Sequence, residues 1–246
     1  MILGIDTATP QVGCAVAGPD GLLASFHSAR GRRHAETLAP ALAFVCEQAG
    51  VALDQIGTVA VDIGPGLFTG LRVGLATATA IAGALGVPMV GLSSLDLLAV
   101  AARPAARLIA SVVDARRGEV FWALYRPTPT GMQRLSDYAV DEPGRLVAVL
   151  AERAEDCLAV GDGARRYASR LDGIGTVEVA GAGYAYPSAE RLVEEAGLLA
   201  MTGRAVPPEA LTPLYLRTAD VRINWEQRQV DDDRRRGAVP SAGQAR

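Results

Sequence analysis

The chain contains no lysine: all 24 basic residues among its 246 are arginine. Without a Gly-Lys-Ser/Thr run, a Walker-type phosphate loop is excluded. Histidine is almost absent too, with only His27 and His34, so no His-x-x-x-His pair exists to hold a metal from one helix face. The three cysteines, Cys14, Cys46 and Cys157, are odd in number and far apart. They have no zinc spacing and are expected as reduced thiols of a cytoplasmic protein. The first residues, Met-Ile-Leu-Gly-Ile-Asp, lack the positive region of a signal peptide and have the pattern of a strand. A strong excess of charge is missing as well. The net charge of −3 argues against a chain that binds nucleic acid alone through a basic face.

Half of the residues are hydrophobic, enough for a substantial core. The most distinctive stretch is Gly64-Pro65-Gly66-Leu67-Phe68-Thr69-Gly70-Leu71-Arg72-Val73-Gly74. A β-type run over 58–63 precedes it, and a helix of alanine, threonine and glycine continues to Leu85. Pro65 fixes its own φ, and Gly64, Gly66 and Gly70 permit backbone shapes closed to other residues, so this is a structural turn between strand and helix. A phosphate cradle on exposed N–H groups is the rival reading, but no G-x-G-x-x-G follows. The helix shows no single polar face and is expected to be covered on most sides. Val73 to Leu95 carries no charge, yet Gly86 and Pro88 leave the helix short of the ~20 residues that span a bilayer, so no membrane is expected.

Taken in order, the pattern predicts strands at 2–6, 12–17 and 22–28, and a helix at 34–48 with Leu38, Leu42 and Val45 on one side. A strand at 58–63, the helix at 68–85, a strand at 87–91 and a helix from Ser93 or Ser94 to about 102 complete the first half. The order β-β-β-α-β-α-β-α then recurs from Leu108, with a third strand near 132–139 and one helix from Gly161-Asp162-Gly163 to Leu171. Asp6 and Asp114 stand at matching places in the two copies. The polar stretch from 224 onward, including Asp231 to Arg236, has the composition of a disordered tail.

Two such copies make an α/β architecture of two ribonuclease-H-like lobes in tandem, the actin-like (ASKHA) arrangement, each lobe a mixed five-stranded sheet with helices. Expected boundaries are 1–102, 103–223, with the last helix packing back on the first lobe, and 224–246. Gly4-Ile5-Asp6-Thr7-Ala8, Arg33-His34-Ala35-Glu36-Thr37-Leu38, the Gly64 to Gly74 run, and Pro213-Leu214-Tyr215-Leu216-Arg217 narrow the choice. Together they resemble the TsaB (YeaZ) family over residues 1 to about 217. The resemblance implies a role in making threonylcarbamoyladenosine in tRNA, beside a TsaD-like paralogue that performs the transfer and a TsaE-like ATPase. It also implies pairing, with TsaD or with a second copy, through the helices at 34–49 and 68–85. His34, Leu38, Leu42, Leu71, Leu75, Ala78 and Ile81 are the residues expected at that interface. No cofactor and no metal are expected.

Independent chemistry has weak support in the sequence. His34 is most simply a helix-start or interface residue, since Glu36, two positions on, diverges from it around the helix. A nucleotide site in this fold needs two acids near Mg-phosphate. Asp6 with Thr7 and Asp114 take those places, and Gly161 and Gly163 stand as a remnant of an adenosine loop. Arg116 and Arg117, however, replace the small residues that let backbone amides approach phosphate. These residues are expected as a vestigial cleft, their aspartates as structural strand ends. Arg30, Arg32 and Arg33 either assist tRNA recruitment or sit on the surface. The expectation is a non-catalytic scaffold; the alternatives are a nucleotide phosphohydrolase or a glycoprotease-like metallopeptidase acting alone.

Overall fold

The computed structural model describes residues 1–31 and 33–217; Arg32 and the expected tail at 224–246 lie outside them. The first half forms β1 (Ile2–Asp6), β2 (Val12–Gly18), β3 (Gly21–Ser28), α1 (His34–Ala49), β4 (Thr58–Gly64), α2 (Phe68–Leu85), β5 (Met89–Ser93) and α3 (Ser94–Ala102). Its sheet runs β3-β2-β1-β4-β5, with β1–β2–β3 antiparallel and β1–β4–β5 parallel. Period-two alternation sends Leu3, Ile5, Val59 and Val61 to a core under α1 and α2, while Ala60 faces the opposite side. Both helices stop where glycine takes the left-handed conformation, Gly50 at φ 64° and Gly86 at φ 66°.

The second half forms β6 (Leu108–Arg116), β7 (Glu119–Thr128), β8 (Gly131–Arg134), β9 (Ala139–Asp141), α4 (Pro143–Arg153), β10 (Cys157–Val160), α5 (Asp162–Arg166), α6 (Ala168–Leu171), β11 (Val177–Val179) and α7 (Ala189–Met201). Its sheet runs β11-β10-β6-β7-β8, which repeats the first topology. Two details depart from the sequence expectation. The strand expected near 132–139 is two strands, β8 on one end of β7 and β9 on the other. Between them Ser136 Oγ accepts the Leu124 N–H at 3.0 Å, so a side chain replaces the ladder there and the sheet counts six strands. The helix expected to reach Leu171 breaks at Tyr167, whose φ of −110° is not helical.

Residues Met1–Leu216 form one compact unit. α3 packs against both sheets: Leu97 joins Ala60, Val90 and Leu192 on the far face of the first sheet, and Leu95, Leu98 and Ala99 join the core of the second. Its Asp96 accepts hydrogen bonds from Tyr125 Oη and Tyr138 Oη, both at 2.7 Å. α7 comes from the second half of the chain but lies on the first sheet, with Ala189 and Val193 against Ala15 and Ala17. A Cβ on Gly4 would stand 2.6 Å from Val193 Cγ1, so this packing requires glycine.

Candidate functional site

Strand β4 ends at Gly64, whose φ of 99° suits glycine, and the Gly64–Pro65 peptide is cis. The turn brings the start of α2 onto the residues after β1. Leu67 N–H donates to Ala8 O at 2.7 Å, and Thr7 Oγ1 donates to Gly70 O at 2.7 Å. A Cβ on Gly66 would lie 2.1 Å from Ala8 O, on Gly70 2.0 Å from Thr7 O, and on Gly74 2.2 Å from Thr7 Oγ1. The glycines therefore serve close backbone packing, and Thr7 belongs to that clamp. His34 Nε2 donates to Thr9 O at 2.7 Å, which pins the start of α1 to the same turn.

These contacts correct the expected interface. His34, Leu38, Leu42, Leu71 and Ala78 are buried inside the chain, and Leu75 and Ile81 are half-buried against the first core. The hydrophobic side chains follow the sheet, as amphipathic packing demands. α2 is also less covered than its composition implied. Gly70, Leu71, Gly74, Ala78 and Ala82 form its buried stripe, and Thr69, Arg72, Ala76, Ala80, Gly83 and Ala84 are exposed. Among the described residues it is the one helix long and apolar enough to cross a bilayer, and here its buried stripe faces the sheet. At its start Phe68 is 45% exposed and Tyr215 44%. Their rings are 5.5 Å apart, and the Arg72 guanidinium lies 3.9 Å over Phe68. Arg72 is the single charged residue in α2 and, read with a four-residue step, marks the open stripe Arg72, Ala76, Ala80, Ala84 in the sequence itself.

The two strand-end aspartates take part in separate structures. Asp6 is fully buried, and its Oδ1 accepts the Ala8 N–H at 2.9 Å. Its neighbour is Asp62 on β4, a site residue that sequence reasoning misses although a carboxylate inside Val-Ala-Val-Asp-Ile-Gly is itself a signal. Asp62 Oδ1 accepts Gly64 N–H and Ser94 Oγ–H, each at 2.7 Å. The Oδ2 atoms of both carboxyls are buried without a protein donor. The two carboxyls act on each other at close range, and burial beside a second carboxyl favours the protonated form. Burial and then the like charge of Asp62 hold Asp6 well above the usual carboxylate range, and burial raises Asp62.

Asp114 instead accepts the Arg116 N–H at 3.0 Å on Oδ1, and its Oδ2 meets Arg116 Nη1 at 2.9 Å and Arg166 Nη1 at 3.4 Å. Asp162 Oδ1 accepts the Asp114 N–H at 3.0 Å. Gly161 and Gly163 have a packing role: a Cβ on Gly161 would stand 2.0 Å from Val112 O, and on Gly163 2.8 Å from Val113 C. Asp6 and Asp114 thus share no partner, and each is engaged within its own sheet. Among the described residues no group of three or more His, Cys, Asp or Glu side chains is placed to hold a metal ion.

The family profile described as "TsaD: tRNA N6-adenosine threonylcarbamoyltransferase" matches residues 25–225. The tRNA threonylcarbamoyladenosine biosynthesis protein TsaB of Escherichia coli is 30% identical over 230 residues, covering 92% of this chain and 97% of that protein. The chain belongs to the TsaB family. The TsaB protein of Bacillus subtilis is 27% identical over 236 residues, covering 93% and 99%. The crystal structure of YeaZ from Pseudomonas aeruginosa superposes with a TM-score of 0.76 at 30% identity, covering 87% of this chain and 99% of that one. The fold of two mixed sheets with one repeated topology is shared with YeaZ.

Proposed function

We propose that this chain is a non-catalytic scaffold subunit in the biosynthesis of N6-threonylcarbamoyladenosine in ANN-decoding tRNAs. It pairs with a TsaD-like transferase through the open face of α2 and helps to dock a TsaE-like ATPase. It works in the cytoplasm, reaches tRNA within the assembled complex, and uses the same face for homodimers. The observation that carries this reading is the contrast between that open stripe and the closed carboxylates beside it. Small side chains at Ala76, Ala80, Gly83 and Ala84 let a partner helix approach closely. The exposed Phe68–Tyr215–Arg72 cluster offers the aromatic and arginine anchors that dominate interface energetics. Names of the relatives supply the pathway. A nucleotide phosphohydrolase has less support, because Asp6 is buried against Asp62 and Asp114 is neutralised by two arginines.

The test mixes the purified chain with the TsaD-like paralogue of its own organism and measures mass by light scattering. Ala80→Asp, on the exposed stripe, is expected to abolish the heterodimer while shifting stability by less than about 0.5 kcal/mol. A heterodimer that survives Ala80→Asp and Ala76→Asp rejects the α2 face. Threonylcarbamoyl transfer to tRNA is expected from the complex and absent from this chain alone; transfer by the chain alone overturns the scaffold reading.

A further inference from the structure

The tip of the β6–β7 hairpin is built against ordinary backbone preference. Arg116 pairs with Glu119, so Arg117 and Gly118 form a two-residue loop with positive φ at both positions, 54° and 84°. Asparagine, aspartate or glycine normally fills the first of these positions. Arg116 sits in a register shift after Asp114 and is left-handed as well, at φ 63°. Two successive arginines are therefore held where side-chain-bearing residues are strained, a cost that persists when the surroundings over-determine it. The surroundings do so: Asp114 binds both the N–H and the guanidinium of Arg116.

The same aspartate gathers more arginine. Arg166 of α5 reaches Asp114 Oδ2, with its side chain 57% exposed against 48% for Arg116. Arg165 and Arg117 are exposed. The anions beneath are turned inward, with Asp114 4% exposed and Asp162 bonded to the backbone of β6; Glu119 flanks the neck of the hairpin. Arg117 has no hydrogen-bond or ion-pair partner among the described residues. Two tyrosines stand beside the guanidiniums: Arg166 lies 5.8 Å over the Tyr167 ring, and Tyr186 is within electrostatic reach of Arg116 and Arg165. Outward cations over inward counter-ions, with aromatic side chains beside them, suit a chain of phosphates carrying stackable bases better than an acidic peptide.

We propose that the β6–β7 hairpin tip and α5 form an RNA-backbone contact surface, in which Arg117, Arg165 and Arg166 engage tRNA phosphates. This rests on the reading that the chain works on tRNA, and it places the contact at the hairpin end of the second sheet.

The test titrates the full chain, alone and with its transferase partner, against labelled unmodified tRNA across a salt series. Partner binding is measured in parallel by light scattering. Arg117→Glu with Arg165→Glu is expected to weaken tRNA binding about tenfold and to lower the log–log salt slope by about 0.7 to 0.9 for each phosphate no longer engaged. Partner binding is expected to be unchanged, and Arg117→Lys with Arg165→Lys to restore most of the affinity. Unaltered tRNA affinity and slope in the Glu variant overturn the proposal. So does full displacement of tRNA by millimolar ATP, which would assign the arginines to a small nucleotide. A wild-type chain that binds tRNA but no partner refutes the scaffold reading and leaves the arginine surface standing.

Discussion

The two sheets of this chain share one topology and use its equivalent corner in opposite ways. Each first strand carries an aspartate at or near its end, Asp6 as the last residue of β1 and Asp114 two residues before the last of β6. In the first sheet Asp6 is buried beside a second carboxyl and no cation, and the surrounding turn is sealed by Gly66 and Gly70 of the α2 clamp. In the second, Asp114 holds two arginines that extend into solvent. In one corner burial favours the protonated carboxyl and the group faces inward; the other is neutralised by guanidiniums and faces outward. A common fold therefore does not preserve a common site, because function depends on the residues grafted on each copy. The difference also separates their surfaces: a helix stripe of small residues with the single charge of Arg72 beside the first corner, a tip of several arginines beside the second.

The largest effects are expected where both corners depend on the same device, a glycine pressed on backbone. In the first sheet Gly70→Ala would set a Cβ 2.0 Å from Thr7 O, and in the second Gly161→Ala would set one 2.0 Å from Val112 O at a φ of 104°. The opposing atoms are backbone and cannot rotate aside, so each variant should lose roughly 3 kcal/mol or more. Chemical denaturation reads both. A loss below about 1 kcal/mol at either site would show that the corner has slack and that the close approach is dispensable.

The repeated strand–helix order, its two aspartates and the Gly-Pro-Gly turn are legible in the sequence because alternation and turn chemistry are local signals. The open face of α2 is not, because its residues are small on every side. Only the sheet decides that Ala78 is buried and Ala80 exposed, and Leu38, Leu42 and Leu71, expected at an outer interface, are taken to the core by their size. Asp62 escapes notice for a different reason. Its pairing with Asp6 is set by adjacent parallel strands, a non-local fact that neither residue's neighbours encode. Cys157 to Val160 and the α5 turn can be placed in order, but the break at Tyr167 has no sequence punctuation.

Removing one carboxylate charge from each corner is expected to distinguish them by the sign of the stability change. Asp6 and Asp62 have raised folded values, so the folded state holds a proton that the unfolded chain releases. Their contribution to stability is complete below about pH 4 and is lost as pH rises through the folded values. Asp62→Asn keeps an oxygen for Gly64 N–H and Ser94 and removes the like charge beside Asp6. It should add on the order of 1–2 kcal/mol at pH 8 and flatten the profile above pH 5. Asp114→Asn should do the reverse, costing about 1–2 kcal/mol at pH 8 through the loss of charge-assisted bonds to Arg116 and Arg166. Thermal melts at pH 5 and pH 8 compare the two; the same sign for both would dissolve the distinction between a proton-held and an arginine-held corner.

The smallest expected change concerns the hairpin tip, where stability and binding should separate. Arg117 has a φ of 54°, a conformation glycine adopts freely. Arg117→Gly therefore relieves strain, offset in part by the larger entropy of glycine in the unfolded chain, for a net gain of about 0.5 kcal/mol. No ion pair or hydrogen bond to another described residue is sacrificed with the side chain, so nothing of that kind opposes the gain. The corresponding change on the first sheet has no equivalent, since Gly64 and Gly66 already supply the glycine that its turn requires. A raised melting temperature together with weaker tRNA binding in the Arg117→Gly protein would mean that the strained arginine is retained for what it touches outside the fold. A lowered melting temperature would mean that Arg117 belongs to the packing of the corner, and the contrast between an inward and an outward site would narrow to Arg165 and Arg166.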